Sequence, residues 1–418
     1  MGFWSSTLRA DCLYKSVYKA KPGSRRRLFQ GTSEITPLTP LAALDISVDT
    51  CIQVVWLSNS AAIIRSHCNA FAAAKANGSV VTWGCGTAGA YAAIKDNGSV
   101  VTWGHYRMGG DSSSVASLLT TGVVQVVVTD SAFAVIKDNG SVVTWGEWKH
   151  GGDSRAVATF LAEGVVQVCG NTRAFAALKS NGSVVTWGDT FSGGISSLVA
   201  PLLAKDVVQV SATSMNAFAA IKANDSVVTW GSHFYGGDSS AVAPLLTEGV
   251  VQVCGTHGAC AALLANGSVV TWGDDGAGGD SSKVAPLLTE GVIQVYGNYY
   301  GFVAIKADGS VLTWGYDEYG GDHSPVAALL TEGVVQVCGS GGAFAAIKSD
   351  GSVVTWGDDS YGGDSSTVAP LLSEGVVQIY SSEYAFAAIK ANGSVVTWGD
   401  SRYGGDSSAV APLLTEGI

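Results

Sequence analysis

Almost every Thr-Trp-Gly tripeptide in this chain is followed by four residues rich in side chains that recognise other molecules. These windows read His105-Tyr106-Arg107-Met108, Glu147-Trp148-Lys149-His150, Asp189-Thr190-Phe191-Ser192 and Ser232-His233-Phe234-Tyr235. They continue with Asp274-Asp275-Gly276-Ala277, Tyr316-Asp317-Glu318-Tyr319, Asp358-Asp359-Ser360-Tyr361 and Asp400-Ser401-Arg402-Tyr403. Of the 32 positions, nine are aromatic, nine acidic and three Lys or Arg, whereas aromatic residues make up 9% of the whole chain. Rigid amphipathic rings among charges are the composition of a contact surface. A second variable loop, ahead of each Thr-Trp-Gly, adds Arg173, His257, Tyr299, Tyr300, Glu383 and Tyr384. From the two sets, the candidate partner-binding residues are Tyr106, Trp148, His150, Phe191, Phe234, Tyr235, Tyr299, Tyr300, Tyr316, Glu318, Tyr319, Tyr361, Glu383, Tyr384, Arg402 and Tyr403.

The chemistry expected of such residues is binding. The chain has no Gly-x-Ser-x-Gly elbow, no phosphate loop of the P-loop type, no His-Glu-x-x-His, and no acidic pair recurring where one would be buried, so no catalytic residue is assigned. The eight cysteines form no Cys-x-x-Cys pair and the six histidines have no ligand spacing, so neither a metal nor a cofactor is expected. Cys169, Cys254 and Cys338 share one place in alternate units and read as reduced, small hydrophobic residues. Seven Asn-x-Ser sequons fall where turns favour asparagine, and they read as turns.

Charge narrows the partner. Residues 1–31 hold seven basic groups against Asp11, which leaves the remainder with 16 basic and 33 acidic residues, a net −17. An acidic body repels phosphate backbones, so the expected partner is a protein and not a nucleic acid. No apolar run reaches the roughly 20 residues of a membrane span. The chain is expected to be monomeric and intracellular. Residues 1–48 read as a basic leader, disordered in preference to an organelle-targeting peptide; Met1-Gly2 formally fits a myristoylation pattern, which bulky Phe3 argues against.

The elements that must position these loops come from self-similarity. The nine Thr-Trp-Gly tryptophans, from Trp83 to Trp398, are 20, 42, 42, 43, 42, 42, 42 and 42 residues apart. A complete unit such as 334–375 reads Val-Val-Gln-Val, a variable loop, Ala-Phe-Ala-Ala-Ile-Lys, a tight turn, Ser-Val-Val-Thr-Trp-Gly, the variable window, Gly-Gly-Asp-Ser-Ser, and Val-Ala-Pro-Leu-Leu-Ser-Glu-Gly. Three short Val-rich runs ending in turn signals predict strands, here A, B and C. Asn-Gly or Asp-Gly between B and C predicts an antiparallel hairpin with a two-residue type I′ turn; Asn224-Asp225 lacks the glycine and predicts a strained one. Both faces of B and C are apolar, so each small sheet must be covered on both sides, as radially packed blades are. The fold class is therefore all-β, a propeller. If A rises, the A–B loop and the window after C share the top face.

The run Asp-Gly-Ser-Val-Val-Thr-Trp-Gly, preceded by Ala-Phe-Ala-Ala-Ile-Lys and Val-x-x-Val, resembles the regulator-of-chromosome-condensation repeat. The short unit is especially similar to the bacterial β-lactamase-inhibitor propellers. The resemblance covers about residues 50–418 and implies seven blades. It also implies protein partners, with guanine-nucleotide exchange, association with ubiquitin ligases or chromatin, and enzyme inhibition as the specialised roles. Two departures mark this chain: the family's Gly-Gln-Leu-Gly is Gly-Gly-Asp-Ser, and its frequent histidine opening strand B is alanine, as at Ala343.

The organisation predicted is a leader (1–48), degenerate propeller repeats (49–122) and seven complete repeats (123–418), with an eight-bladed ring as the alternative. The second amino-terminal hairpin, Tyr91 to Gly104, reads as having lost its strand A.

Overall fold

The computed structural model describes residues 89–410 except Asp96 and Ser214, Leu414, and six strands ahead of residue 89, for which only the backbone path is given. The basic head up to residue 25, with its targeting and acylation readings, lies outside the described residues.

Seven three-stranded antiparallel sheets follow one another, each with B in the centre between A and C. Blade I comprises Val123–Val128, Ala132–Lys137 and Val142–Gly146, and blade VII comprises Val376–Ser381, Ala385–Lys390 and Val395–Gly399. The B strands of blades II to VI begin at Ala174, Ala217, Ala259, Gly301 and Ala343. An eighth sheet precedes blade I and is composite: Ile63–His67 pairs with Ala90–Ile94, which pairs with Val100–Gly104. The strand A that the sequence reads as lost is therefore supplied from ahead of the hairpin Ala70–Ala74 and Val80–Gly84. Its sequence, Ile-Ile-Arg-Ser-His, carries none of the Val-x-x-Val pattern, so periodicity could not reveal it. That intervening hairpin lies against Ile63–His67 on one side and the turn Ser401–Tyr403 on the other, between the composite sheet and blade VII. Arg26–Gln30 and Ser33–Ile35, within the stretch read as a leader, form a further sheet with Ile52–Trp56.

Strand B is where the packing originates. Its first five residues are buried in blades I to VI, because alternate side chains serve opposite neighbours. In blade VI, Ala343, Ala345 and Ile347 pack on blade VII against Leu372, Val376, Phe386 and Trp398. From the same strand, Phe344 and Ala346 join Trp356 in packing on Val303 and Ile305 of blade V. Alanines let adjacent sheets approach; in every blade of the seven but IV the wider part of the gap is filled by a Phe–Trp pair directly opposite one another, as Phe344 and Trp356 are in blade VI, with ring centroids 5.5 Å apart.

The tryptophan also fastens blade to blade. Its indole Nε1–H donates to the carbonyl of the first glycine of the preceding Gly-Gly step: Trp145 to Gly109 (2.9 Å), Trp187 to Gly151 (3.0 Å), Trp356 to Gly320 (3.2 Å), Trp398 to Gly362 (3.1 Å). Only glycine fits there: Gly320 has φ +95° and an added Cβ would stand 2.6 Å from the Phe344 ring. After this step Asp364 Oδ1 accepts from Ser366 N at 2.8 Å and opens the 3-10 turn Ser366–Leu371. Asp supplies this cap, not Ser.

The B–C turn differs from the two-residue expectation. Gly140 N donates to Lys137 O (2.8 Å), Lys137 N to Ser141 O (2.9 Å), and only the glycine has positive φ, +76°. This is a three-residue loop, a type I turn closed by a left-handed glycine, with Asn139 Oδ1 accepting from Ser141 N. In blade III the left-handed position falls on Asp225, at φ +60°.

Trp356→Phe keeps the ring stack and deletes the indole donor, leaving a buried carbonyl unpaired; a loss of about 1–3 kcal/mol is expected in urea unfolding followed by circular dichroism. An unchanged midpoint would mean that the bond does not couple the blades. Asp225→Gly relieves a left-handed aspartate and is expected to stabilise by about 1 kcal/mol in the same assay, and a loss of stability would show that the aspartate makes a compensating interaction.

Candidate functional site

Hydrogen bonds join the two variable regions at the top in blades I, II and IV to VII. In blades I, II, IV, V and VI the residue opening the A–B loop is a small polar one whose side chain accepts from the amide three residues on and donates to the window of its own blade, and in blade VII Ser382 Oγ donates to Tyr403 O. Thr129 Oγ1 accepts from Ala132 N (3.1 Å) and donates to His150 O (2.9 Å). Asn298 Oδ1 accepts from Gly301 N (2.8 Å) while Nδ2 donates to Tyr319 O (2.7 Å). Ser340 Oγ bonds Ala343 N (3.1 Å) and Tyr361 O (2.8 Å) in the same way. Neighbouring A–B loops are also tied through their backbones: Asp130 N to Thr172 O (2.8 Å), Thr172 N to Met215 O (3.2 Å), His257 N to Tyr299 O (2.8 Å), Tyr299 N to Gly341 O (3.3 Å) and Gly341 N to Glu383 O (2.7 Å). None of these latches needs a particular side chain at the tip, so the tips vary while their backbones stay in place.

On this frame the aromatic residues form one arc across blades II to VII. Phe191 meets Tyr235 edge-on (6.3 Å), Tyr235 meets His257 (5.6 Å), and His257 touches both Tyr299 and Tyr300 (6.2 Å each). Tyr300 stacks on Tyr319 at 4.3 Å and meets Tyr316 edge-on at 5.9 Å. Tyr319 meets Tyr361 (6.0 Å), and Tyr361, Tyr384 and Tyr403 continue as a stack at 4.8 and 4.5 Å. Tyr235, Tyr319, Tyr361 and Tyr403, which occupy one position of the repeat, are half-buried: they are both part of the scaffold and part of the arc.

The remaining candidates stand apart. Tyr106 and Trp148, 63% and 64% exposed, lie on the side of the composite sheet and blade I and carry cations of their own, Arg107 over Tyr106 (5.6 Å) and Lys149 over Trp148 (5.3 Å). Phe234 is 65% exposed and packs on His233, outside the arc. Glu318 is exposed. Arg402 donates from its Nη2 to Asp400 Oδ2 (2.6 Å) and lies over Tyr403 (5.4 Å). His150, the last residue of blade I's window, is half-buried, and burial and then Arg173 hold its pKa below the usual value.

The A–B loops also bring in one residue the sequence reading missed. Asp130 of blade I is pushed up to about 6, because it is withdrawn from water; Arg173 of blade II opposes the shift and Glu383 of blade VII adds to it. Tyr299 of blade V is raised by burial and then by Glu383 and Asp130. Burial lowers His257, with Asp274 opposing. The signal that could have found Asp130 was present, since it occupies the loop position of Glu383, Tyr299 and His257.

No family model matches the chain, and no curated protein matches it. Among solved structures, it is similar to the ectodomain of the receptor kinase CR4 from Physcomitrella patens, at 14% identity over 66% of this chain and 74% of that one, TM-score 0.41. It is also similar to the CRINKLY WD40 ectodomain of the Arabidopsis thaliana receptor kinase ACR4 (17%, 66% and 96%, TM-score 0.37). A third is Prp20p from Saccharomyces cerevisiae (15%, 76% and 86%, TM-score 0.35), described with its binding properties to Gsp1p and histones. The class of this chain, a β-propeller built of short repeated blades, rests on the sheets and the inter-blade contacts described above.

Folded Asp130 holds its proton to about pH 6, whereas an unfolded aspartate releases it near pH 4. Between those values the folded state binds the extra proton, so this group's contribution to stability falls as pH rises through the window and is level above it. Asp130→Asn is expected to flatten that slope in denaturant titrations from pH 4 to 7; an unaltered slope would show that Asp130 ionises as a surface carboxylate.

Proposed function

We propose that this chain is a non-catalytic β-propeller that holds a protein partner against the top face, through the aromatic arc and the acidic residues around it. The observation that carries this reading is the contrast within each unit. The strands, the Trp–Gly bond and the loop latches recur nearly unchanged, while the side chains presented at the latched tips differ from blade to blade. A rigid frame that displays diverse, ring-rich positions suits recognition, because little side-chain freedom is lost when a partner docks. The reading assigns the Asp, Tyr and Trp side chains at these tips no reaction, cofactor or metal. Nucleic acid is disfavoured as a partner by the acidic surface. The finer reading, a propeller of the regulator-of-chromosome-condensation kind with the short blades of the inhibitor propellers, rests on the repeat motif.

The test compares the full chain with a variant in which all eight windows read Asp-Asp-Ser-Tyr, the sequence already tolerated at Asp358 to Tyr361. Affinity capture from native lysate is expected to lose its specific partners with the variant, while circular dichroism shows the same fold. The identity of what is lost, whether GTPase, chromatin, ubiquitin-machinery or hydrolase protein, then chooses among the specialised roles. Identical captures from both proteins would refute the reading.

A further inference from the structure

The charges of the top face are not evenly spread. The windows of blades IV, V and VI contain Asp274, Asp275, Asp317, Glu318, Asp358 and Asp359 and no Lys or Arg; the three basic window residues, Arg107, Lys149 and Arg402, all lie in other blades. Two of the six acids are engaged by their own backbone, Asp274 Oδ1 accepting from Ala277 N (2.8 Å) and Asp358 Oδ1 from Ser360 N (2.7 Å). Asp275, Asp317, Glu318 and Asp359 are exposed and take part in no ion pair among the described residues. Between the windows of blades IV and V runs an open groove lined by Asp275, Tyr316 and Asp317 together with Asp280, Lys283 and Asp322.

Blade VII shows what such a surface accepts. There the window reads Asp-Ser-Arg-Tyr, and the Arg402 guanidinium donates to both Asp400 oxygens (2.6 Å from Nη2 to Oδ2, 3.1 Å from Nε to Oδ1) while lying over Tyr403 at 5.4 Å. Blade VI presents the same aspartate and tyrosine, Asp358 and Tyr361, with Ser360 where the arginine would be. The Arg107–Tyr106 and Lys149–Trp148 pairs repeat the pattern of a cation over a window ring. In the windows that have a basic residue, a cation covers the ring; the windows of blades V and VI present acids and rings, and that of blade IV acids, with no basic residue of their own. A carboxylate beside an aromatic face is a favourable seat for guanidinium or ammonium.

We propose that the blade IV–VI sector binds an extended segment of a partner protein whose arginine or lysine side chains lie between the exposed carboxylates of the three windows, one of them over the exposed ring of Tyr316. This rests on the reading of the top face as a protein-binding surface and adds the chemistry of the bound segment. The sector extends over three consecutive blades, which suits a chain laid across it better than a single small cation.

The probe is a fluorescein-labelled Gly-Ser peptide with three spaced arginines, with a three-glutamate peptide as its counterpart, both read by anisotropy on the full chain at physiological salt. Two variants remove the same charge from different ends of the blades. One carries Asp275→Asn, Asp317→Asn, Glu318→Gln and Asp359→Asn; the other carries Glu248→Gln, Glu290→Gln, Glu332→Gln and Glu374→Gln, all exposed residues ahead of strand A. The arginine peptide is expected to bind and the glutamate peptide not, with about a tenfold or greater weakening in the first variant and no more than about twofold in the second. Tyr316→Ala is expected to weaken binding with all carboxylates intact. Equal losses in the two charge variants would overturn the proposal, since the attraction would then be diffuse. Failure of the arginine peptide to bind, while the eight-window variant still loses its captured partners, would overturn the cationic segment and leave the protein-binding face standing.

Discussion

The structure depends on one contact repeated around the series: an indole N–H donated across the gap between blades to a glycine carbonyl, with that glycine pressed against a phenylalanine ring. Each partner constrains the others. The tryptophan reaches the carbonyl because it stands directly opposite the phenylalanine across the B–C hairpin. The phenylalanine leaves no room for a Cβ, so the preceding linker must turn at a left-handed glycine. The turn in turn sets the path of the linker that leads to the next strand A. In blade IV, where Cys260 replaces the phenylalanine, the indole bond is kept at 3.0 Å and the thiol points to the same carbonyl. The hydrogen bond, more than the ring stack, is thus the invariant part of the contact.

How much of this could be read beforehand follows from which residues carry it. Trp, Gly and the alanine-rich B strand announce themselves because the contact they make recurs at a fixed spacing, and the two-sided burial of B follows from its unbroken apolar run. Two elements were not legible. Ile63–His67 completes a sheet with a hairpin that lies beyond another hairpin, and a pairing of that kind leaves no local pattern. The B–C turn was read as the shortest hairpin its Asn-Gly allows, whereas the carbonyl and amide of the strand-ending lysine close a loop one residue longer.

The candidate site was legible as a set of variable windows and not as an arrangement. Sequence placed Tyr299, Tyr300, Tyr319 and Tyr361 on one face but could not show that their rings touch in succession, because that succession crosses blades and depends on how far each sheet is turned from the next. Asp130 was overlooked for the opposite reason. A single aspartate in a loop is unremarked until the fold withdraws it from water, with Arg173 opposing the shift and Glu383 of blade VII adding to it. Burial by the assembled loops, not residue type, is what gives that carboxyl its unusual proton affinity.

The backbone links between successive A–B loops carry a consequence for how such a chain can change over generations. Because amide and carbonyl do the joining, a unit inserted or lost in frame brings or removes a complete latch, and its neighbours find equivalent groups to bond. Side chains at the tips are consequently exempt from the selection that preserves the wheel. Diversity can accumulate there one blade at a time, so that new specificities are assembled by recombining existing units as well as by point substitution.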